Sequence, residues 1–188
     1  MSGQPLPRGD LKPRGFAIWM TGLPASGKST LAELLKKTLV EKHGRYVEVL
    51  DGDEIRKGLS RDLGLSKEDR EEHARRVSFV AKVLARNGVI AIVSLISPYR
   101  ASRTEAREVI GPDRFVEVYV RAPLEVCEQR DPKGLYAKAR RGEIDNMTGI
   151  QAPYEEPLAP DLTVDTSNST PGECAAELVN GLRRIKLL

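Results

Sequence analysis

Residues 22–29 read Gly-Leu-Pro-Ala-Ser-Gly-Lys-Ser, a match to the pattern G-x-x-x-x-G-K-[ST]. The pattern works only as a turn between a buried strand and a helix, so it restricts the whole fold before composition is considered. Its surroundings comply. Residues 16–20 (FAIWM) form a continuous apolar run, the form of a strand covered on both faces. Leu31, Leu34, Leu35 and Leu39 then recur on one helical face, with a helix end expected near His43-Gly44. In such a turn the backbone of Gly22, Leu23, Pro24, Ala25, Ser26 and Gly27 closes around a β-phosphate, and the helix N-terminus beyond adds its positive dipole end. Lys28 reaches the β/γ-oxygens, and the Ser29 hydroxyl, followed by Thr30, is placed to ligate Mg²⁺. The predicted ligand is a nucleoside triphosphate with Mg²⁺; the group that receives the phosphate is not specified by the loop.

The same alternation continues along the chain. Strands are expected over residues 46–50, 89–95, 115–120 and 162–164, and helices over 67–87, 101–110 and 124–130. Val77, Val80, Ala81 and Leu84 lie on one face of the long helix, which Ser66 and Asp69 are placed to cap, and Ala175, Leu178, Val179, Leu182 and Ile185 mark a terminal helix. A short helix is expected at 54–57, a glycine-bounded basic segment at 134–142 and an irregular proline-rich one at 148–160. Strands separated by helix-length crossovers imply an α/β chain, a three-layer α/β/α P-loop NTPase fold with a parallel sheet that binds ligands at the carboxyl ends of its strands. Its 188 residues suit one domain over 15–188, behind a flexible lead-in over 1–14 with no apolar signal segment. No apolar run approaches the ~18 residues of a membrane span. The net charge is +3 with both signs interleaved, as in REEHARR and RASRTEARE, the pattern of solvated helix faces and not of a nucleic-acid-binding stripe. Cys127 and Cys174 lack metal-ligand spacing and are expected to be buried thiols in a reducing, cytoplasmic compartment.

Two carboxylates, Asp51 and Asp53, follow the second strand beside the phosphate loop. Phosphorylation of an alcohol needs a carboxylate that orients the hydroxyl and accepts its proton, which is assigned to Asp53, while Asp51 is assigned to Mg²⁺ or its water shell. Capping of the short helix is the competing use of either. Arg56, Arg70, Arg75 and Arg76 follow, and an anionic acceptor would need some of them; surface solvation accounts for the rest.

The segments LDGDEIRKGLSRDLG, DREEHARRV, SLISPYR, EVCEQRDPKGLYAKARRGEI and MTGIQAPYEEP resemble the adenylylsulfate kinase family over about residues 15–165. The resemblance implies ATP-dependent phosphorylation of the 3′-hydroxyl of adenosine 5′-phosphosulfate (APS) in sulfate assimilation. It also implies Mg²⁺, a homodimer, and functional coupling to an ATP sulfurylase. It places Arg130 on the ATP side and Asp53, Arg56, Leu65, Arg70, His73, Ile96, Ser97, Lys133, Asn146 and Met147 on the APS side. Lys133, Lys138, Arg140 and Arg141 would belong to a lid over about 131–150. Leu65 and Met147 stand where the family carries phenylalanines, His73 where it carries Asn, and Gln151 where it carries Asp. Ser97, where the family can carry a phosphoserine, is counted with Lys28 and Asp53 as catalytic; holding the sulfonucleotide or the turn before Pro98 is its other reading. A kinase of another small alcohol and a non-catalytic nucleotide-binding module stay open as alternatives, the second opposed by intact Lys28, Ser29 and Asp53.

Overall fold

In the computed structural model, which describes residues 14–188, the first apolar run forms β1 (Ala17–Thr21), buried at every position. All but the last residue of the expected lead-in lies outside the described residues. The chain then forms α1 (Lys28–His43), β2 (Val47–Asp51), α2 (Gly52–Lys57), α3 (Lys67–Arg86), β3 (Ile90–Ser94) and α4 (Arg100–Ile110). After one 3-10 turn come β4 (Phe115–Arg121), α5 (Leu124–Arg130), α6 (Leu135–Arg140), β5 (Leu162–Asp165) and α7 (Pro171–Arg184). The five strands are parallel in the order β2-β3-β1-β4-β5, so the phosphate loop leaves the central strand at the point where strand order reverses.

The two-residue period of a strand sends neighbouring side chains of β1 to opposite faces. Ile18 and Met20 pack with Leu31, Leu35 and Leu39 of α1 and Leu178 and Leu182 of α7. Ala17 and Trp19 pack on the other face with Val77 and Ala81 of α3 and Ala106 of α4. These two cores are the expected three layers. Truncating a fully enclosed member such as Leu35 to Ala costs about 2–5 kcal/mol. A third, smaller cluster of Ala122, Cys127, Tyr136, Ala139 and Met147 packs α5, α6 and the segment after them beside the phosphate loop.

Several boundaries differ from expectation for local reasons. β2 starts one residue late, leaving Tyr46 exposed. α7 starts at Pro171 because Thr170 and Glu173 form a reciprocal capping box, and Ile185 falls past its end, partly exposed instead of in the core. The basic segment contains α6, introduced by left-handed Gly134 (φ 65). Ser66 caps α3 through the Asp69 amide as expected, and Cys127 and Cys174 are buried and unpaired. The interleaved charges of α3 do form a solvated face, with Glu72 held by Arg75 and Arg76 and Asp62 by Arg76. Arg70 of α3 and Arg103 of α4 are exceptions, both buried, the second against Glu117.

Candidate active site

The carboxyl ends of the strands open on one cleft of about 740 Å³. Its walls come from the loop after β1, from Asp51–Arg56, from Ser94–Pro98, from Arg130–Lys133 and Met147 beyond β4, and from Thr166 to Cys174 after β5. The phosphate loop is shaped by Ala25 (φ 61) and Gly27 (φ 97), the latter in a left-handed conformation that only glycine adopts freely. A Cβ on Gly22 would collide with the Val120 carbonyl oxygen. Pro24, Ala25, Gly27, Lys28, Ser29 and Thr30 line the cleft, whereas Gly22, Leu23 and Ser26 support it from below. Lys28 Nζ donates to the carbonyls of Gly22 (2.9 Å) and Leu23 (2.7 Å) and to Ser26 Oγ (3.3 Å). Burial lowers its pKa to about 8, against the pull of Asp51 and Asp53.

Asp51 caps α2 and at the same time contacts the phosphate-loop residue Ser29. Its Oδ1 accepts the Asp53 amide at 3.0 Å and caps α2, and its Oδ2 accepts the Ser29 hydroxyl at 2.7 Å. Ser94 Oγ lies 3.3 Å from Ser29 Oγ. These are hard oxygen donors next to a phosphate cradle, and among the described residues no group of three or more His, Cys, Asp or Glu could hold a metal alone. That donor set fits Mg²⁺, which keeps several waters and takes one or two carboxylates plus substrate phosphates. Asp53 stands in the first turn of α2, ion-paired with Lys133 from the loop after α5.

Of the four arginines considered, Arg56 and Arg70 line the cleft, while Arg75 and Arg76 are spent on surface carboxylates. Arg56 Nη1 donates to Gly64 O at 2.9 Å, and Arg70 donates to Leu65 O (3.0 Å) and Asn146 O (2.7 Å). His73 is 5% exposed and lines the cleft, and neither ring nitrogen has a hydrogen-bond partner among the described residues. Burial first, then Arg56, Arg76 and Arg70, push its pKa down to about 4, with Asp53 opposing. Leu65, Ile96, Ser97, Lys133 and Met147 also line the cleft. Asn146 does not: left-handed (φ 57) and exposed, it offers its carbonyl to Arg70 and not its side chain to the cleft. Lys138, Arg140 and Arg141 face away too, the last two paired with Glu128 and Glu143.

Ser97 is buried at φ 38, a left-handed conformation that costs a non-glycine residue about 1–3 kcal/mol and persists only where its surroundings impose it. Trp19, expected only as core, donates its indole N–H to Ser97 Oγ at 3.0 Å. Beyond β5, sequence reasoning missed the cleft residues Thr166, Ser169, Pro171 and Cys174. Thr166 ties them to the loop, donating to Ser26 O at 2.8 Å and accepting from Arg130 Nη1 at 3.1 Å. The short DTSNST stretch before a proline reads as plain turn chemistry and gave no other signal. Tyr136 of α6 donates to Pro24 O at 3.0 Å, fastening the 131–150 segment to the phosphate loop. Gln151 fastens its far end, accepting the Met147 amide at 3.0 Å and donating to Ala139 O and Ile144 O at 3.3 Å each.

The family model described as adenylylsulphate kinase matches residues 14–165. An adenylyl-sulfate kinase of Halothermothrix orenii is 56% identical over 169 residues, 90% of this chain and 90% of that one. The APS kinase of Mycobacterium tuberculosis, solved in complex with AMPPNP and APS, superposes with a TM-score of 0.87 at 48% identity, covering 91% of this chain and 99% of that one. A hexameric APS kinase from Thiobacillus denitrificans superposes with a TM-score of 0.72 at 34% identity over 94% of this chain but 30% of that longer one.

Proposed function

The chain belongs to the adenylylsulphate kinase family, and from that premise and the geometry of its cleft we propose that it transfers the γ-phosphoryl group of ATP to the 3′-hydroxyl of APS. The observation that carries this reading is the single cleft shared by the phosphate loop, by Asp53, and by the Arg56, Arg70 and His73 wall. Sheet order separates two substrate sites around β1. Thr166 to Cys174 flank it on the β5 side, with Arg130, and suit the nucleoside of ATP. The β2 and β3 ends flank it on the other side and suit the acceptor.

Transfer of this kind is mostly positioning and charge neutralisation. The loop from Gly22 to Thr30 wraps the β-phosphate, and Lys28 turns from its own loop carbonyls to the β/γ-oxygens. Ser29 and Asp51 would hold Mg²⁺, which would supply positive charge to the phosphates when bound. Asp53 accepts the proton of the attacking hydroxyl, for which its pairing with Lys133 must give way, freeing Lys133 for phosphate oxygens. Arg56, Arg70 and His73 meet the anionic part of the acceptor, while Leu65, Ile96, Ser97 and Met147 enclose the rest, with Asn146 acting through its carbonyl on Arg70. The segment 131–150 acts as a lid that excludes water and suppresses ATP hydrolysis.

Residues 15–188 act as one domain. The protein works as a homodimer and receives APS from an ATP sulfurylase; the hexameric relative supports association between copies and not the number of them. Its buried, unpaired thiols fit the reducing cytoplasm, and no helix among the described residues is long and apolar enough to cross a membrane. A kinase of another alcohol is the second reading, favoured by a cleft in which Tyr136 is the one lining phenyl ring among the described residues. A coupled ADP assay with APS, adenosine 5′-phosphate and simple alcohols at equal concentration separates the two. Rapid ADP formation with APS alone is expected; faster turnover of any other acceptor, or none with APS, overturns the proposal.

A further inference from the structure

Arg103 takes no part in the chemistry above, yet at 3% exposure it is enclosed more completely than Lys28 (7%) or Arg70 (9%). A cation this deep is tolerated only when paired and fully hydrogen-bonded. Its Nε donates to Glu117 Oε1 at 2.7 Å, which answers the charge. The other two nitrogens go elsewhere: Nη1 donates to Ser97 O and Nη2 to Glu155 O, each at 2.7 Å. Those carbonyls belong to two separate irregular segments. One is the 95–98 turn, which lines the cleft and holds Ser97 left-handed. The other continues from Met147 and Thr148, which line the same cleft. The two segments also meet directly, the Glu155 amide donating to Pro98 O at 2.8 Å.

We propose that Arg103 is a positioning residue for the acceptor half of the cleft. It holds the 95–98 turn in the conformation that presents Ser97 and locks that turn to the segment running from Met147 to Glu155, without touching either substrate. The inference rests on the assignment of the β2 and β3 side to the acceptor. An arginine suits the task because its planar fork sends three donors in fixed, diverging directions, whereas a lysine is a single point of charge. Neutralising Glu117 would need only one of those three bonds. The remaining two have no use in charge balance and are explained by the turn they fix.

Two variants test this. Arg103→Lys keeps a charge for Glu117 and loses the fork. Arg103→Met combined with Glu117→Met removes the whole buried pair, an exchange that cores tolerate and that keeps the test open if the lysine variant fails to fold. For each, KM and kcat are measured for APS and for ATP. In parallel the indole signal is followed in a ¹H–¹⁵N spectrum, where the single tryptophan of the chain reports through its bond to Ser97 Oγ. The expected result is a rise in the APS KM of about tenfold, equivalent to about 1.4 kcal/mol, an ATP KM within about twofold, and a displaced indole signal. An unchanged APS KM in a folded variant, an equal rise in both KM values, or an unmoved indole signal overturns the proposal. Failure of the underlying reading is distinguishable, because the parent protein would then form no ADP in response to APS.

Discussion

His73 makes the protein acid-labile by an amount that can be worked out. Its imidazole is buried among Arg56, Arg70 and Arg76 with only Asp53 in opposition, and its pKa falls to about 4. In the unfolded chain the value returns to about 6.5. Between these values the unfolded state binds a proton that the folded state refuses, so stability rises with pH through this window and is lost as pH falls from about 6.5 to about 4. At about 1.36 kcal/mol for each pH unit, the gap amounts to about 3 kcal/mol, a large share of the ~5–15 kcal/mol that holds a domain folded. The assay is urea unfolding at several pH values for the parent and for His73→Asn, which fills the position with a group that does not titrate. Between pH 7 and 4 the parent should lose about 3 kcal/mol more than the variant. In a proton NMR titration, one of the chain's two histidines should titrate near 4. A parent and variant with parallel pH–stability curves, or two histidines both titrating near 6.5, would refute the reasoning.

Lys28 should impose a basic limb: protonated Lys28 meets the phosphates, so kcat/KM for ATP in the free enzyme should decline above about pH 8, and Lys28→Arg should remove that decline. Asp53→Asn should lower kcat by about 10²-fold or more while ATP affinity changes little, because an amide cannot accept the hydroxyl proton; a loss within about twofold would leave Asp53 without its catalytic role. Leu65→Phe with Met147→Phe should lower the KM for APS by about fivefold, about 1 kcal/mol of the ~1–3 kcal/mol that stacking on a base supplies, and leave the KM for ATP alone. A double variant that folds by circular dichroism yet loses APS turnover would mean the pocket is not shaped for a stacked adenine.

Those elements of the fold that impose a strong pattern on consecutive residues were legible. β1 and β3 are covered on both faces, so their apolar runs are unbroken. The phosphate loop depends on residues adjacent in sequence, and its glycines and Lys28 stand at the required spacing whatever the rest of the chain does. α6 and the first turn of α7 were missed because their signals are short and polar. A six-residue helix between glycines does not complete two turns of amphipathic pattern, and the Thr170 and Glu173 capping box lies inside a run of turn-forming residues.

Charged residues in the site posed a harder problem, because an arginine on a solvated face and one in a cleft are the same letter. Helical phase separates them. On α3, Arg70 and His73 fall in register with buried Ala74, Val77 and Ala81, and both are buried and reach the cleft. Arg75 and Arg76 are out of that register and pair with carboxylates at the surface. On α4, Arg103 stands three and seven residues before Ala106 and Ile110, on the face that meets the sheet. Counting charges along RASRTEARE averages over the faces of the helix and reports only solvation. The informative observation was a cation placed where the period calls for an apolar side chain, since burying one there is unfavourable unless fixed acceptors await it. The acceptors themselves, Ser97 O and Glu155 O, lie 6 and 52 residues away in irregular chain and belong to the backbone, so no choice of side chain announces them. Sequence phase can therefore identify which charged residues face inward, while only the fold identifies what each one holds.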